Sequence, residues 1–467
     1  MTFPTDPILN SDTYSVHVDR TNEHFADAGQ HSQAVNVAAF GAVSGATATQ
    51  TRQAFEAAMA YAITQNKRGV FVPSKNEEYT FDAPITLDKI SIIGEERNSC
   101  RLRWPAGTVP AGGHAITILG EGGFENVPWL KDLCIFGPSG GFTGVDDHPA
   151  NFHGVRCGQV GSQYGAVDLQ NIYVALFDYN IVLQNASGQI FLQDVRSQYG
   201  YYGVYFRQAN ADYSFVACNF TNNAFAGIGM PRTTGVNMMS IWKTHFGFEP
   251  YGIYQSNAED GNPADSQKGF MYQCDLIGVD FEAVGNGAIL TEAVADGANP
   301  WAGRFFGNLV RGGWHDFNDG YKIATRNKEY YVDVKEAQFN TVDWGDVPWP
   351  PGDVGVIRYT SGHSWTLLGR SQQPVAPKVL IQGDTASNTL DKRLLDYSVT
   401  ISATEPSATF TYDTWVKAAA MAVRPALIPR SDPGGRYWIS TRNESGFVVT
   451  REGNTAAAVT FEIQLFT

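Results

Sequence analysis

The 467-residue sequence predicts an all-β protein: a right-handed, single-stranded parallel β-helix followed by a C-terminal antiparallel β domain. Three observations predict it. The first is composition: 48 glycines and 13% aromatics with only 17% charged residues suit a turn-rich chain and exclude a disordered or surface-helical one. The second is a recurrence of short apolar runs at the period of one solenoid coil. The third is a change of character near residue 366, where period-two alternation begins without that repeat.

Charge narrows the partners. The formal net charge is −14 and no basic cluster is present, so nucleic acid, which needs clustered Lys and Arg, is not an expected ligand. An anionic membrane surface is disfavoured on the same ground. A glycan remains open, even an anionic one, because a few basic residues can line a groove within a negative protein. The five cysteines (Cys100, Cys134, Cys157, Cys218, Cys274) are odd in number, widely spaced and without a CxxC pair, and read as reduced, mostly buried thiols. The opening MTFPTDPILN lacks a positive start and an apolar core, so no secretory leader is expected there, and no segment nears the ~18 apolar residues of a membrane span.

Residues 1–34 are polar and aperiodic and read as a lead-in or attachment segment. Val35–Gly41 (VNVAAFG) reads as a short strand, and Gln50–Gln65 as a helix with apolar spacing through Phe55, Met59, Ala62 and Ile63. Strands are expected at Gly69–Pro73, Tyr79–Phe81, Ile85–Leu87 and Ile90–Gly94. This order, "VNVAAFGA", helix, "RGVFVP", "YTF", "ITLDKISIIGE", resembles the opening of pectate-lyase-like β-helix proteins, a group that includes phage tailspikes. The resemblance covers residues 35–104 and implies that the helix is an N-terminal cap on the open end of the solenoid. The Asp-Gly…Asp-Asp-Thr turn usual before that helix is replaced by Ser44–Thr49, where Thr47 or Thr49 can still act as N-cap.

The body repeats over residues 35–365. LQNIYV, LQDVRS, FVACNF, IWKTHF, MYQCDL and FGNLVR align with inward anchors at Ile172, Val195, Cys218, Thr244, Cys274 and Leu309, spaced 23, 23, 26, 30 and 35 residues. A second strand follows Gly203, Gly227, Gly252, Gly287 and Gly320. One coil cannot bury its apolar row without the next, so the repeat requires stacking. Gln372–Lys378 reads as a linker, and residues 366–467 as a separate sandwich-like β domain; the resemblance implies trimerisation or glycan contact for it.

No dinucleotide, P-loop, HExxH or GxSxG motif is present, and no cofactor is expected. Asp146, Asp147 and His148, with His153 nearby, read as a solvated turn rather than a metal site. Residues flanking the anchors point outward, which puts Asp194, Arg196, Lys243, His245 and Asp275 on one polar face. A Lys or His base beside cations would suit β-elimination of a uronate, and a solvated salt-bridged face is the plainer reading. A second ladder aligns Phe248, Phe281 and Phe317 inward, stacking Glu249 on Glu282 and Asp280 on Asp316. Such paired carboxylates are how glycosidases obtain an acid and a base or nucleophile. Trp242, Tyr251 and Trp314 lie near it and offer stacking surfaces for sugar rings. The resemblance implies a phage tailspike: a homotrimer, attached through its N-terminus to other tail proteins in the virion, that binds and depolymerises a bacterial surface polysaccharide. A non-catalytic glycan receptor-binding spike is the alternative from another class.

Overall fold

In the computed structural model the described residues are 34–119, 127–138, 152–158, 166–184, 189–208, 213–232, 234–256, 270–293, 303–311 and shorter stretches from 315 to 466. The lead-in up to residue 33, the Asp146–His148 cluster, the 372–378 linker and Trp314 lie outside them.

The cap helix, α1 (Ala48–Thr64), begins at Thr47. The Thr47 hydroxyl accepts from the Gln50 N–H at 3.2 Å and the Gln50 side chain accepts from the Thr47 N–H at 2.9 Å, a reciprocal capping box worth about 1 kcal/mol. Thr49 instead donates to Asp82 at 2.6 Å, tying the helix to the coil below. Phe55, Met59 and Ala62 are buried as their spacing predicts, whereas Ile63 is 56% exposed and faces away. Phe55 meets Phe81 edge-on at 5.0 Å, and Phe81 lies flat on Trp104 at 4.4 Å.

Behind the cap, the described strands up to Leu390 pair in parallel, each with the equivalent strand of the next coil. Crossovers between parallel strands of right-handed twist wind right-handed. Single residues in the left-handed conformation make the corners. One column of corners contains Asp132, Asn171, Asp194, Ala217, Lys243 and Gly278; a second contains Met238, Gln273 and Gly307; a third contains Leu176, Tyr199, Asn222, Phe248 and Ala283, with φ from 48° to 69°. Such a φ costs a non-glycine residue energy. Hydrogen bonds running through the bend offset part of that cost, as from Ala217 N–H to Trp242 C=O at 2.9 Å and from Lys243 N–H to Ile277 C=O at 3.0 Å.

The residue after each corner turns inward. This gives the buried columns Ile172, Val195, Cys218, Thr244, Val279, then Met239, Cys274, Asn308, then Phe177, Asn223, Glu249, Val284. The expected anchor ladder therefore needs correcting. His245 pairs with Asp280, so the partner of Thr244 is Val279; Cys274 belongs to the second corner, beside Met239 and Asn308. Leu309 is half exposed, and Asn308 takes the inward position. The Asn308 carboxamide accepts from the Cys274 N–H at 2.9 Å and donates to Asn340 at 3.0 Å, so this interior polar ladder is satisfied. All five cysteines are buried and free.

The parallel pairing continues past residue 366, because Gly355–Leu368 pairs with Ile381–Gln382 and Thr389–Leu390. Two antiparallel three-stranded sheets follow, one from Tyr397–Ile401, Arg424–Pro429 and Val459–Phe466, the other from Ser407–Thr411, Tyr437–Asn443 and Gly446–Arg451. Among the described residues no helix is long and apolar enough to cross a membrane.

Candidate functional site

One sheet of the solenoid carries a polar outer face. Its strands are Arg196–Gln198, Asn219–Thr221, His245–Gly247, Asp280–Val284 and His315–Phe317. In the first three the middle residue points inward, so Ser197, Phe220 and Phe246 are buried together with Phe281. Period-two alternation then leaves two outward rows. One is Arg196, Asn219, His245, Asp280; the other is Gln198, Thr221, Gly247, Glu282.

These rows are wired together. Gln198 donates to Asn219 at 2.9 Å and to Thr221 at 2.6 Å, and Thr221 donates to Asn219 at 2.8 Å. The Asn219 Oδ1 is thereby committed as acceptor, so its amide faces His245 Nδ1, 3.2 Å away, as donor. This leaves the imidazole proton on Nε2, which lies 3.1 Å from Glu282 Oε2 at an angle poor for a hydrogen bond. Glycine at 247 keeps the floor open: a Cβ there would lie 2.6 Å from the Glu282 carbonyl oxygen and 2.9 Å from His245 Nε2. The rim is aromatic. Tyr199 and Tyr321 are exposed, and Phe248, half buried, meets Tyr321 edge-on at 5.5 Å.

The structure divides the expected site residues. Glu282, Asp280, His245 and Arg196 share this face. Glu249 does not: it is fully buried on the inner side of the third corner, and Gly247 is the partner of Glu282. The cause is register. Phe246 rather than Phe248 stacks on Phe281, so the expected Glu249–Glu282 ladder is shifted by two residues. Burial raises the Glu249 carboxyl well above its ordinary value; hydrogen bonding from Asn223 works against that shift and reaches Oε2 at 2.8 Å. No polymer outside the solenoid can touch it.

Asp280 pairs with His245 in register, and the next strand is offset by a bulge in which Phe281 pairs with His315 and Val284 with Phe317, so Asp280 and Asp316 are not register partners. Asp194 occupies a corner and is ion-paired to Arg97 at 3.1 Å. Lys243 is an exposed corner residue. Trp242 and Asp275 belong to the neighbouring sheet, where Ser240 pairs with Asp275, and burial raises the Asp275 carboxyl. Tyr251 is 2% exposed, within a separate cluster of tyrosines. Trp314 lies outside the described residues. Gln198, Thr221, Gly247 and the rim Phe248–Tyr321 were not singled out from the sequence as site residues; only the register reveals them.

Among the described residues no group of three or more His, Cys, Asp and Glu is placed to hold a metal ion. No protein-family profile matches the chain, and no curated protein is similar to it in sequence. In fold it is similar to a DFA-IIIase from Arthrobacter chlorophenolicus (11% identity, 77% of this chain and 95% of that one, TM-score 0.49). It is also similar to the A-module of a mannuronan C-5 epimerase from Azotobacter vinelandii (14% identity, 76% and 100%, TM-score 0.44). A third similar structure is the tailspike protein gp49 of Pseudomonas phage LKA1 (11% identity, 92% and 99%, TM-score 0.33).

Proposed function

We propose that this chain is a phage tailspike that binds a bacterial surface polysaccharide along this polar sheet face and cleaves it by hydrolysis. The observation that carries the reading is the placement of Asp280 and Glu282 on one strand and one outward face, with His245 beside them. The Cα atoms of residues two apart on a strand lie about 6.6 Å apart, a spacing from which their carboxyl groups can reach the roughly 6.5–9.5 Å separation that leaves room for a water between an acid and a base. Glu282, exposed on the outer face with its Oε2 3.1 Å from His245 Nε2, is placed to activate that water. Asp280 would protonate the leaving oxygen. Gln198, Asn219 and Thr221 continue the face with donors and acceptors for sugar hydroxyls, and the Tyr199, Phe248 and Tyr321 rim offers surfaces for the C–H faces of sugar rings.

A lyase reading has one observation in its favour. Arg196 and His245 stand on the same row, Arg196 as a cation for a uronate carboxylate and His245, once its Nδ1 is released from Asn219, as a base for its α-proton. Digestion of a panel of purified capsule and O-antigen polysaccharides separates these outcomes. Reducing ends without absorbance at 235 nm support hydrolysis, and absorbance at that wavelength supports elimination. Binding with neither leaves a receptor-binding spike and removes the enzyme reading. The assembly expected with this role is a homotrimer attached at its N-terminus to the tail. Sizing the native protein tests it: a mass of 51.0 kDa contradicts the trimer and one of about 150 kDa supports it.

A further inference from the structure

A different sheet carries a second cluster of charge. Its strands His114–Leu119, His153–Cys157, Tyr179–Gln184 and Tyr202–Gln208 pair in that order. His114 pairs with His153, their rings 4.9 Å apart, and His153 lies flat on Tyr179 at 4.5 Å. In the parallel column Thr117 pairs with Arg156, which pairs with Val182, which pairs with Tyr205. Arg207 lies close enough for its charge to act on both Arg156 and His114.

Two features of this cluster have no structural partner. Arg156 is half buried, makes no ion pair among the described residues, and its Nε is buried without an acceptor. His114 is 6% exposed and its Nε2 also lacks a partner. Burial first, then His153, Arg156 and Arg207, hold the His114 imidazole down to about 2, so it stays neutral, and burial with Arg207 lowers the Arg156 guanidinium. Cations gathered in this way raise each other's cost, and an orphaned buried donor adds its own desolvation penalty. A bound oxyanion would remove both costs, because a guanidinium meets a carboxylate or phosphate with two parallel charge-assisted hydrogen bonds.

We infer that Arg156, with Arg207 and His114, forms an oxyanion-binding site on this sheet, separate from the face that carries Asp280 and Glu282. The group bound is a carboxylate or phosphate, supplied either by an acidic sugar or by a free inorganic anion. Neither source depends on cleavage at Asp280 and Glu282.

The test is isothermal titration of the full chain with inorganic phosphate and with D-glucuronate, with D-glucose as neutral control. The expected result is saturable binding of at least one anion and none of glucose. Arg156→Ala should weaken it about tenfold or more, the loss of the guanidinium's charge-assisted hydrogen bonds, and Arg156→Lys should retain part of it. His114→Phe, which keeps a ring without a donor and should also weaken binding, provides a second variant should Arg156→Ala fold poorly. Binding of glucuronate but not phosphate assigns the site to an acidic sugar, and the reverse to a free anion. Absence of saturable binding by either anion, or binding unchanged in Arg156→Ala and His114→Phe, overturns the inference.

Discussion

Phe246 lies flat on Phe281, ring centroids 5.0 Å and planes 12° apart, and this contact fixes what each neighbouring acid can do. With these two rings in register, Gly247 stands beside Glu282 on the outside, and Glu249 is carried around the corner at Phe248 into the interior. Two glutamates close to Phe248 and Phe281 in sequence thus have opposite environments. One can meet a ligand, and the other is a buried acid held by Asn223.

Removing that ring contact should be costly. Phe246→Ala leaves a cavity between Phe220 and Phe281, and the expected loss is about 3–5 kcal/mol, read as a fall in the denaturant midpoint. A loss below ~1 kcal/mol would mean that the rings do not set the register.

Glu249→Gln should stabilise the protein above pH 5. The folded carboxyl has its pKa raised well above the unfolded value of 4.5, so its contribution is fully present below pH 4.5 and is lost as pH rises toward the folded pKa. Asp178, also buried and raised to about 7, has the same sign between pH 3.8 and 7. His114, held down to about 2, acts oppositely: its contribution is present above pH 6.5 and is lost as pH falls below it. The difference between wild type and Glu249→Gln isolates one group. Thermal scans should show the variant more stable by ~1–3 kcal/mol at pH 8, the cost of a poorly satisfied buried polar group, with the gap closing toward pH 4.5. A gap independent of pH would contradict the assignment.

Much of the fold was legible because its causes are local. Thr47 and Gln50 announce the helix start, and the glycines at 203, 227, 252 and 287 mark one strand of each coil. The site was only half legible. Lys243–Gly247, Gln273–Ile277 and Gly278–Glu282 each run from a left-handed corner to an inward residue, then on to a strand with an outward, an inward and another outward position. A reading by period-two alternation cannot tell one corner from the next when an insertion of unknown length, near residues 257–267, separates them. The ladder therefore slipped from Thr244 to Cys274 when its true partner was Val279. Phe246 and Phe248 differ by one strand period, so either could have been aligned inward, and long-range stacking on Phe281 decided between them.

Gly247→Ala should damage both the site and the coil. The added methyl would crowd His245 Nε2 and the backbone carbonyl oxygen of Glu282, so the strand must shift: the melting temperature should drop, and turnover of the protein that stays folded should fall about tenfold or more. Unchanged turnover in the folded variant would contradict a role for the opening beside His245.

The central claim is that Glu282 and Asp280 act from the polar outer face while Glu249 does not. The most direct measurement is turnover and binding of Glu282→Gln, Asp280→Asn and Glu249→Gln on whichever polysaccharide the wild type degrades. The account predicts that the first two lose about a hundredfold or more in kcat, as expected for general acid–base groups, with binding within a fewfold of wild type, and that Glu249→Gln keeps its activity. Full activity in Glu282→Gln and Asp280→Asn, or its loss in a folded Glu249→Gln, would contradict it.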